Sequence, residues 1–175
     1  DISWAMSLDD AYIDLKKIDD LNGRKILLKG NHDYRWTSLS KINNLGLKSM
    51  EFLQNNHFSY EDYDICGTRG WISRDSKDFT EHDEKIFQRE LLRLENSLKE
   101  SKASKKIVML HYPPINSSGD FNEFFDICLD FQVDFLVYGH LHGFGHRLIK
   151  EGNIKEIGVR CVSGDYVDFA PVRII

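Results

Sequence analysis

Asn31, His32 and Asp33 follow directly on the apolar run Ile26-Leu27-Leu28 and on Gly30. An amide carbonyl, an imidazole and a carboxylate in three consecutive positions can ligate a cation or move a proton. The same build recurs twice. Ile107-Val108-Met109-Leu110 runs into His111, and Phe135-Leu136-Val137-Tyr138 runs into Gly139-His140-Leu141-His142. Four of the seven histidines stand at these three ends. One such histidine would read as an ordinary core or surface residue. Three ends, one carrying a pair, point to a shared site. Imidazole nitrogen, amide oxygen and carboxylate together suit divalent Mn, Fe, Zn or Ni, and suit Ca poorly. His140 and His142 are two apart, so on an extended segment both face one way and can serve one metal or two side by side. With no Cys-x-x-Cys pair in the chain, Cys-rich zinc and iron–sulfur chemistry is excluded.

The three ends need strands to carry them, and the runs before them read as buried strands. Between them the periodicity is helical. Leu8, Ala11, Tyr12 and Leu15 predict a helix from Ser7 to Ile18, with Ser7 as N-cap and Asp9 and Asp10 in its first turn. A strand over 25–29 follows. A short helix near 38–45, short strands at 50–53, 58–60 and 65–67, and a glycine-broken loop at 68–74 come next. Phe87, Leu91, Leu94 and Leu98 predict a helix over 81–101 whose Glu and Lys residues form a solvated face, opened by Thr80 and Asp83 in a capping-box pattern. After the strand at 106–110, Phe121, Phe124, Phe125, Cys128 and Leu129 mark another amphipathic helix, and a strand spans 134–138. The remainder, 146–149 and 154–175, is β-rich and antiparallel in character, with Glu151-Gly152-Asn153 as a hairpin turn. The alternation argues for crossover units, parallel strands and one α/β domain over 1–175. In such sheets, ligands bind outside the carboxyl ends of the strands.

The 175 residues are 41% hydrophobic and 29% charged, an ordinary globular balance that can bury a sizeable core. A formal net charge of −5 argues against a long nucleic-acid partner. An anionic ligand would then need a local attractor such as a metal. Cys66, Cys128 and Cys161 are widely spaced and fit the reduced thiols of a cytoplasmic protein. No apolar run approaches the roughly 18 residues of a membrane span, and no signal peptide is visible. The chain opens on Asp1 without an initiator methionine, which suggests an N-terminal truncation.

Gly30-Asn31-His32-Asp33, a later strand-end His111, and then Gly139-His140-Leu141-His142, in that order, resemble the calcineurin-like metallophosphoesterase superfamily. The resemblance covers essentially the whole chain, and the two motifs together are far more specific than either alone. It implies two facing mixed β-sheets flanked by helices and a pair of divalent ions. Asp1 resembles the bridging ligand, with Asn31, His111 and His140 completing one metal site and His142 serving the second. His32 resembles the catalytic histidine that protonates the leaving oxygen, with Asp33 as its orienting partner. The implied mechanism is attack by a water or hydroxide activated between two metals, with His32 as general acid. The family's first Asp-x-His motif is missing and would lie before residue 1, so the second metal retains only Asp1 and His142.

Arg35, Arg69 and Arg74 are candidate phosphate contacts, because guanidinium matches phosphate bidentately. Tyr34, Trp36 and Trp71 are aromatic enough to line a substrate pocket, although core packing is the commoner role of a tryptophan. The expected substrate is a small phosphate mono- or diester. Rival readings are a nuclease or cyclic-nucleotide phosphodiesterase of the same fold, and a catalytically impaired scaffold that binds a partner. The sequence leaves oligomeric state, metal identity and substrate open.

Overall fold

A computed structural model describes residues 1–34, 36 and 38–175. Helix α1 (Leu8–Asp19) starts at Ser7, whose Oγ accepts the Asp10 N–H at 3.1 Å, with Asp9 and Asp10 at the positive end of the helix dipole. Ala11 and Leu15 are buried; Tyr12, read as part of the same stripe, lies exposed. Strand β1 (Lys25–Leu28), α2 (Leu39–Asn43) and β2 (Met50–Leu53) follow. β1 and β2 pair in parallel as a two-stranded sheet, in register from Lys25 with Met50 to Leu28 with Leu53. Ala11, Leu15, Leu27, Ile42, Met50 and Phe52 form the core under that sheet, with Trp36 packed edge-on to Phe52.

A second sheet takes β3 (His57–Tyr60), β4 (Tyr63–Thr68), β5 (Lys105–Leu110), β6 (Phe135–Tyr138), β7 (Gly152–Ile154) and β8 (Ile157–Cys161), in the spatial order β3-β4-β5-β6-β8-β7. Its four inner strands are parallel, and β3 and β7 are antiparallel edges. Each parallel connection needs a crossover. Helix α3 (Glu81–Glu100) links β4 to β5, and α4 (Glu123–Asp130) links β5 to β6. Thr80 and Asp83 make the capping box that opens α3. Phe87, Leu94 and Leu98 of α3 pack with Phe124, Phe125 and Cys128 of α4 over Cys66, Val108, Leu136 and Val159 of the sheet. The architecture is the expected mixed α/β one, with a six-stranded mixed sheet flanked by helices; the second sheet, expected to be mixed as well, is a pair of parallel strands among the described residues.

Two local expectations are corrected. The hairpin turns at Lys155-Glu156, not at Glu151-Gly152-Asn153. Both turn residues have positive φ (48° and 71°), and this register keeps Ile157 in the core. Nor is the C-terminal part β-rich throughout. Residues 143–148 form a short 3-10 helix, and past β8 the described residues carry no strand. β8 joins β6 in parallel, so only the β7–β8 pair is antiparallel there.

Asp64 on β4 is buried, and it staples the loop after α3. Burial alone would raise its pKa, but donors outweigh that: Ser59 Oγ at 2.7 Å, Ala103 N at 3.0 Å, Ser101 Oγ at 2.8 Å and Lys102 N at 2.9 Å hold the carboxyl well below the usual range. A depressed folded-state pKa contributes stability above the unfolded value and loses it as pH falls. Asp64→Asn is expected to cost about 2–3 kcal/mol at pH 7. The gap between parent and variant should narrow steadily below about pH 5. Urea midpoints at about pH 7 and about pH 3 check this; a gap that does not depend on pH would refute it.

Candidate metal centre

Gly30 stands two residues past β1, where Asp1 comes too close for a side chain. A Cβ at Gly30 would stand 2.1 Å from Asp1 Oδ1 and 2.3 Å from Asp1 N. The glycine is therefore a matter of close approach, since its φ is not in the left-handed region. Asp1 Oδ1 in turn accepts the His32 N–H at 2.8 Å.

The parallel register of β5 and β6 sets His111 and His140 side by side at adjacent carboxyl ends, with the Gly139 N–H donating to His111 O at 3.3 Å. Asn31 comes to them from the other sheet. Its Oδ1 lies 2.6 Å from His111 Nε2 and 3.1 Å from His140 Nδ1, and the two imidazole nitrogens are 3.1 Å apart. Asp1 Oδ1 stands 3.8 Å from His111 Nε2. So all four residues predicted to ligate one ion come together. Burial pushes the His111 imidazole down to about 2 and that of His140 to about 4, the charges of His142 and His32 adding to the latter. Both rings are thus neutral over the ordinary pH range, the form that ligates a metal. His140 also adopts a positive φ of 70°, which costs a non-glycine residue energy and is a recurrent mark of functional positions.

Fit to a metal can be tested on these donors. Zinc–nitrogen bonds of about 2.0–2.1 Å imply tetrahedral donors about 3.4 Å apart. The Asn31, His111 and His140 donors are slightly inside that spacing and Asp1 slightly outside it, so small side-chain rotations suit one ion. Among the described residues no group of three or more His, Cys, Asp or Glu is already spaced to hold a metal. The amide of Asn31 stands at the centre of this cluster instead. For a second ion the residues fit less well. His142 is largely exposed, and its Nδ1 is bonded to Asp165 Oδ1 at 2.7 Å. Asp165 also accepts the Gly143 N–H at 3.0 Å, and His146 Nε2 lies 3.1 Å from its other oxygen.

His32 is held by two aromatic residues. Trp4 stacks on its ring at 4.1 Å and 6°, and Tyr34 Oη meets its Nδ1 at 2.8 Å. Asp33, expected to orient that ring, is fully buried and gives its oxygens to backbone. Oδ1 accepts Ile2 N at 2.8 Å and Ser3 N at 3.1 Å, and Oδ2 accepts Gly30 N at 2.7 Å. It thereby fixes the turn that presents His32. Arg69 stacks on Trp71 at 4.3 Å and faces Glu90 at 3.6 Å. Arg74 is bonded to Glu84 at 2.8 and 2.6 Å and to Glu123, so two carboxylates balance its charge. Arg35 lies outside the described residues. Trp36 is core, its indole donating to Gln54 Oε1 at 2.9 Å. Trp71 and Tyr112 do line a cleft of about 150 Å³ that reaches His140. Sequence reasoning missed Trp4, Tyr34 as the His32 partner, and Asp165. Only Tyr34 offered a local signal, by standing two residues from His32.

Comparison with known proteins adds the family. A family model described as calcineurin-like phosphoesterase matches residues 1–144. A solved crystal structure aligns with a TM-score of 0.54 at 11% identity over 86% of this chain, a likeness of fold alone. The chain spans 62% of that structure's length. No curated protein matches.

Proposed function

Because the chain belongs to the calcineurin-like phosphoesterase family, a family of metal-dependent phosphoester hydrolases, we propose that it hydrolyses a small phosphate mono- or diester with His32 as general acid. The observation that carries this reading is the convergence of Asn31 Oδ1, His111 Nε2 and His140 Nδ1 within 2.6–3.1 Å of one another. Asp1, Asn31, His111 and His140 would hold one divalent ion, and His142 with Asp1 a second. Such ions supply charge neutralisation at the phosphoryl oxygens and a water acidic enough to attack at neutral pH. Mn, Fe, Zn and Ni all match the mixed nitrogen and oxygen donors.

The chain's own groups do the rest. His32 Nδ1 is engaged by Tyr34 Oη, which leaves Nε2 to carry the proton handed to the departing oxygen. Trp4 fixes the plane of the ring. The cleft between Trp71 and Tyr112 accepts the organic part of the substrate beside His140. Its aromatic walls favour a substrate with a planar group, which keeps nucleotide diesters as the second reading.

Asp165 acts on His142 as a carboxylate that fixes the ring's tautomer and leaves its Nε2 lone pair for a metal. Asp165→Asn is expected to weaken the weaker of two manganese-binding events about 10–100-fold and to leave the tighter one unchanged. Calorimetric titration reads both.

The deciding experiment pairs elemental analysis of metal per chain with hydrolysis of an aryl phosphate monoester and diester in manganese. Turnover that chelation removes and manganese restores is the expected result. Metal bound without turnover of either ester would overturn the enzyme reading in favour of a binding scaffold.

A further inference from the structure

β1, β2 and β4 all end at one cavity of about 200 Å³. Four of the described side chains that line it are cationic: Lys29, Arg69, Arg89 and Arg93. Among the described residues, Glu90 of α3 is the one lining carboxylate. It is buried and already engaged. Its Oε1 takes Arg93 Nη1 at 2.8 Å, with Arg69 Nη2 at 3.6 Å and Arg89 Nη2 at 3.8 Å, and its Oε2 takes the Thr68 hydroxyl. One carboxylate cannot satisfy three guanidinium groups, each with five N–H donors.

The surplus shows in the side chains. Arg69 Nε is buried with no acceptor among the described residues, and the side chain is only 15% exposed. A buried charged donor without a partner is rare and marks a missing acceptor. Lys29 spends one donor on Trp36 O at 2.9 Å and has two more. An anion in the cavity would relieve the crowding of these four cations around one carboxylate and fill the empty hydrogen bonds. The space is smaller than the roughly 300–1,000 Å³ of organic-ligand pockets. It suits a small oxyanion, for which guanidinium and ammonium groups are the matching donors.

We propose that this cavity is an anion site that takes one tetrahedral oxyanion of the phosphate class between Lys29, Arg69, Arg89 and Arg93. It uses none of the metal-centre side chains, although it lies beside them: Arg69 O accepts the backbone N–H groups of His111 and Tyr112. The site therefore stands or falls apart from the hydrolase reading.

The test is calorimetric titration of inorganic phosphate into the chelator-treated chain. One saturable event per chain is expected. Arg89→Gln should weaken it about tenfold, because Arg89 is half-exposed and its 3.8 Å approach to Glu90 does little for the fold. His111→Ala should leave it unchanged. If the urea midpoint shows that Arg89→Gln is unfolded, Lys29→Gln serves the same purpose. Phenyl phosphate binding as tightly as phosphate would assign the cavity to the phosphoryl end of an ester, and phosphate alone to the free ion. No saturable heat, or equal affinity in the parent and the folded variant, would overturn the proposal.

Discussion

His32→Ala is expected to lower kcat about 10²–10⁴-fold, the usual contribution of a positioned general acid. The loss should depend on the leaving group. An alkoxide needs a proton as it departs, whereas p-nitrophenolate leaves readily without one. Alkyl phosphate turnover should therefore fall toward the upper end of that range, and p-nitrophenyl phosphate turnover toward the lower end. Metal content should not change, since the donor cluster is built from Asn31, His111 and His140. Paired kcat measurements on the two esters check this. Equal losses on both would mean that His32 positions the substrate instead of protonating it.

The largest expected effect on stability belongs to Phe87→Ala. Phe87 is fully buried on α3. Phe124 packs edge-on at 5.0 Å, Phe79 lies at 6.2 Å, and the Arg74 guanidinium sits over the ring at 4.3 Å. Truncation deletes the filling between helices α3 and α4 and the ring under Arg74. It should cost about 3–5 kcal/mol and lower Tm by about 10 °C. Urea and thermal unfolding would measure it. A loss under about 1 kcal/mol would mean that the surrounding aromatic residues collapse into the gap.

The parallel strands were legible because strands covered on both faces are written as unbroken apolar runs. Residues 107–110 of β5 and Phe135–Tyr138 are such runs. Helix α3 was legible from its period, but its charges were read too simply. Glu90 stands three residues after Phe87 and four before Leu94, on the inward stripe, and is 1% exposed. Periodicity reveals which face a residue occupies. It does not reveal that Arg69, twenty-one residues away, will join Arg89 and Arg93 around a buried carboxylate there. The meeting of Asn31, His111 and His140 was legible because each stands just past the end of a strand. Asp165 and Trp4 were not, since each reaches the site across more than twenty residues with no motif around it. The hairpin moved off Gly152 because burying Ile157 outweighed the preference of glycine for a turn.

Asn31 and His111 are 80 residues apart, and Asn31 and His140 are 109 apart. No local segment of the unfolded chain can bring them together. An ion held between them would therefore bind almost only to the folded molecule and would act as a thermodynamic brace across both sheets. At a free concentration one hundred times its dissociation constant, such a ligand adds about 2.7 kcal/mol to the unfolding free energy. Melting temperature then becomes a gauge of metal affinity, and any core lesion such as Phe87→Ala reappears as an apparent loss of affinity once the folded population runs short.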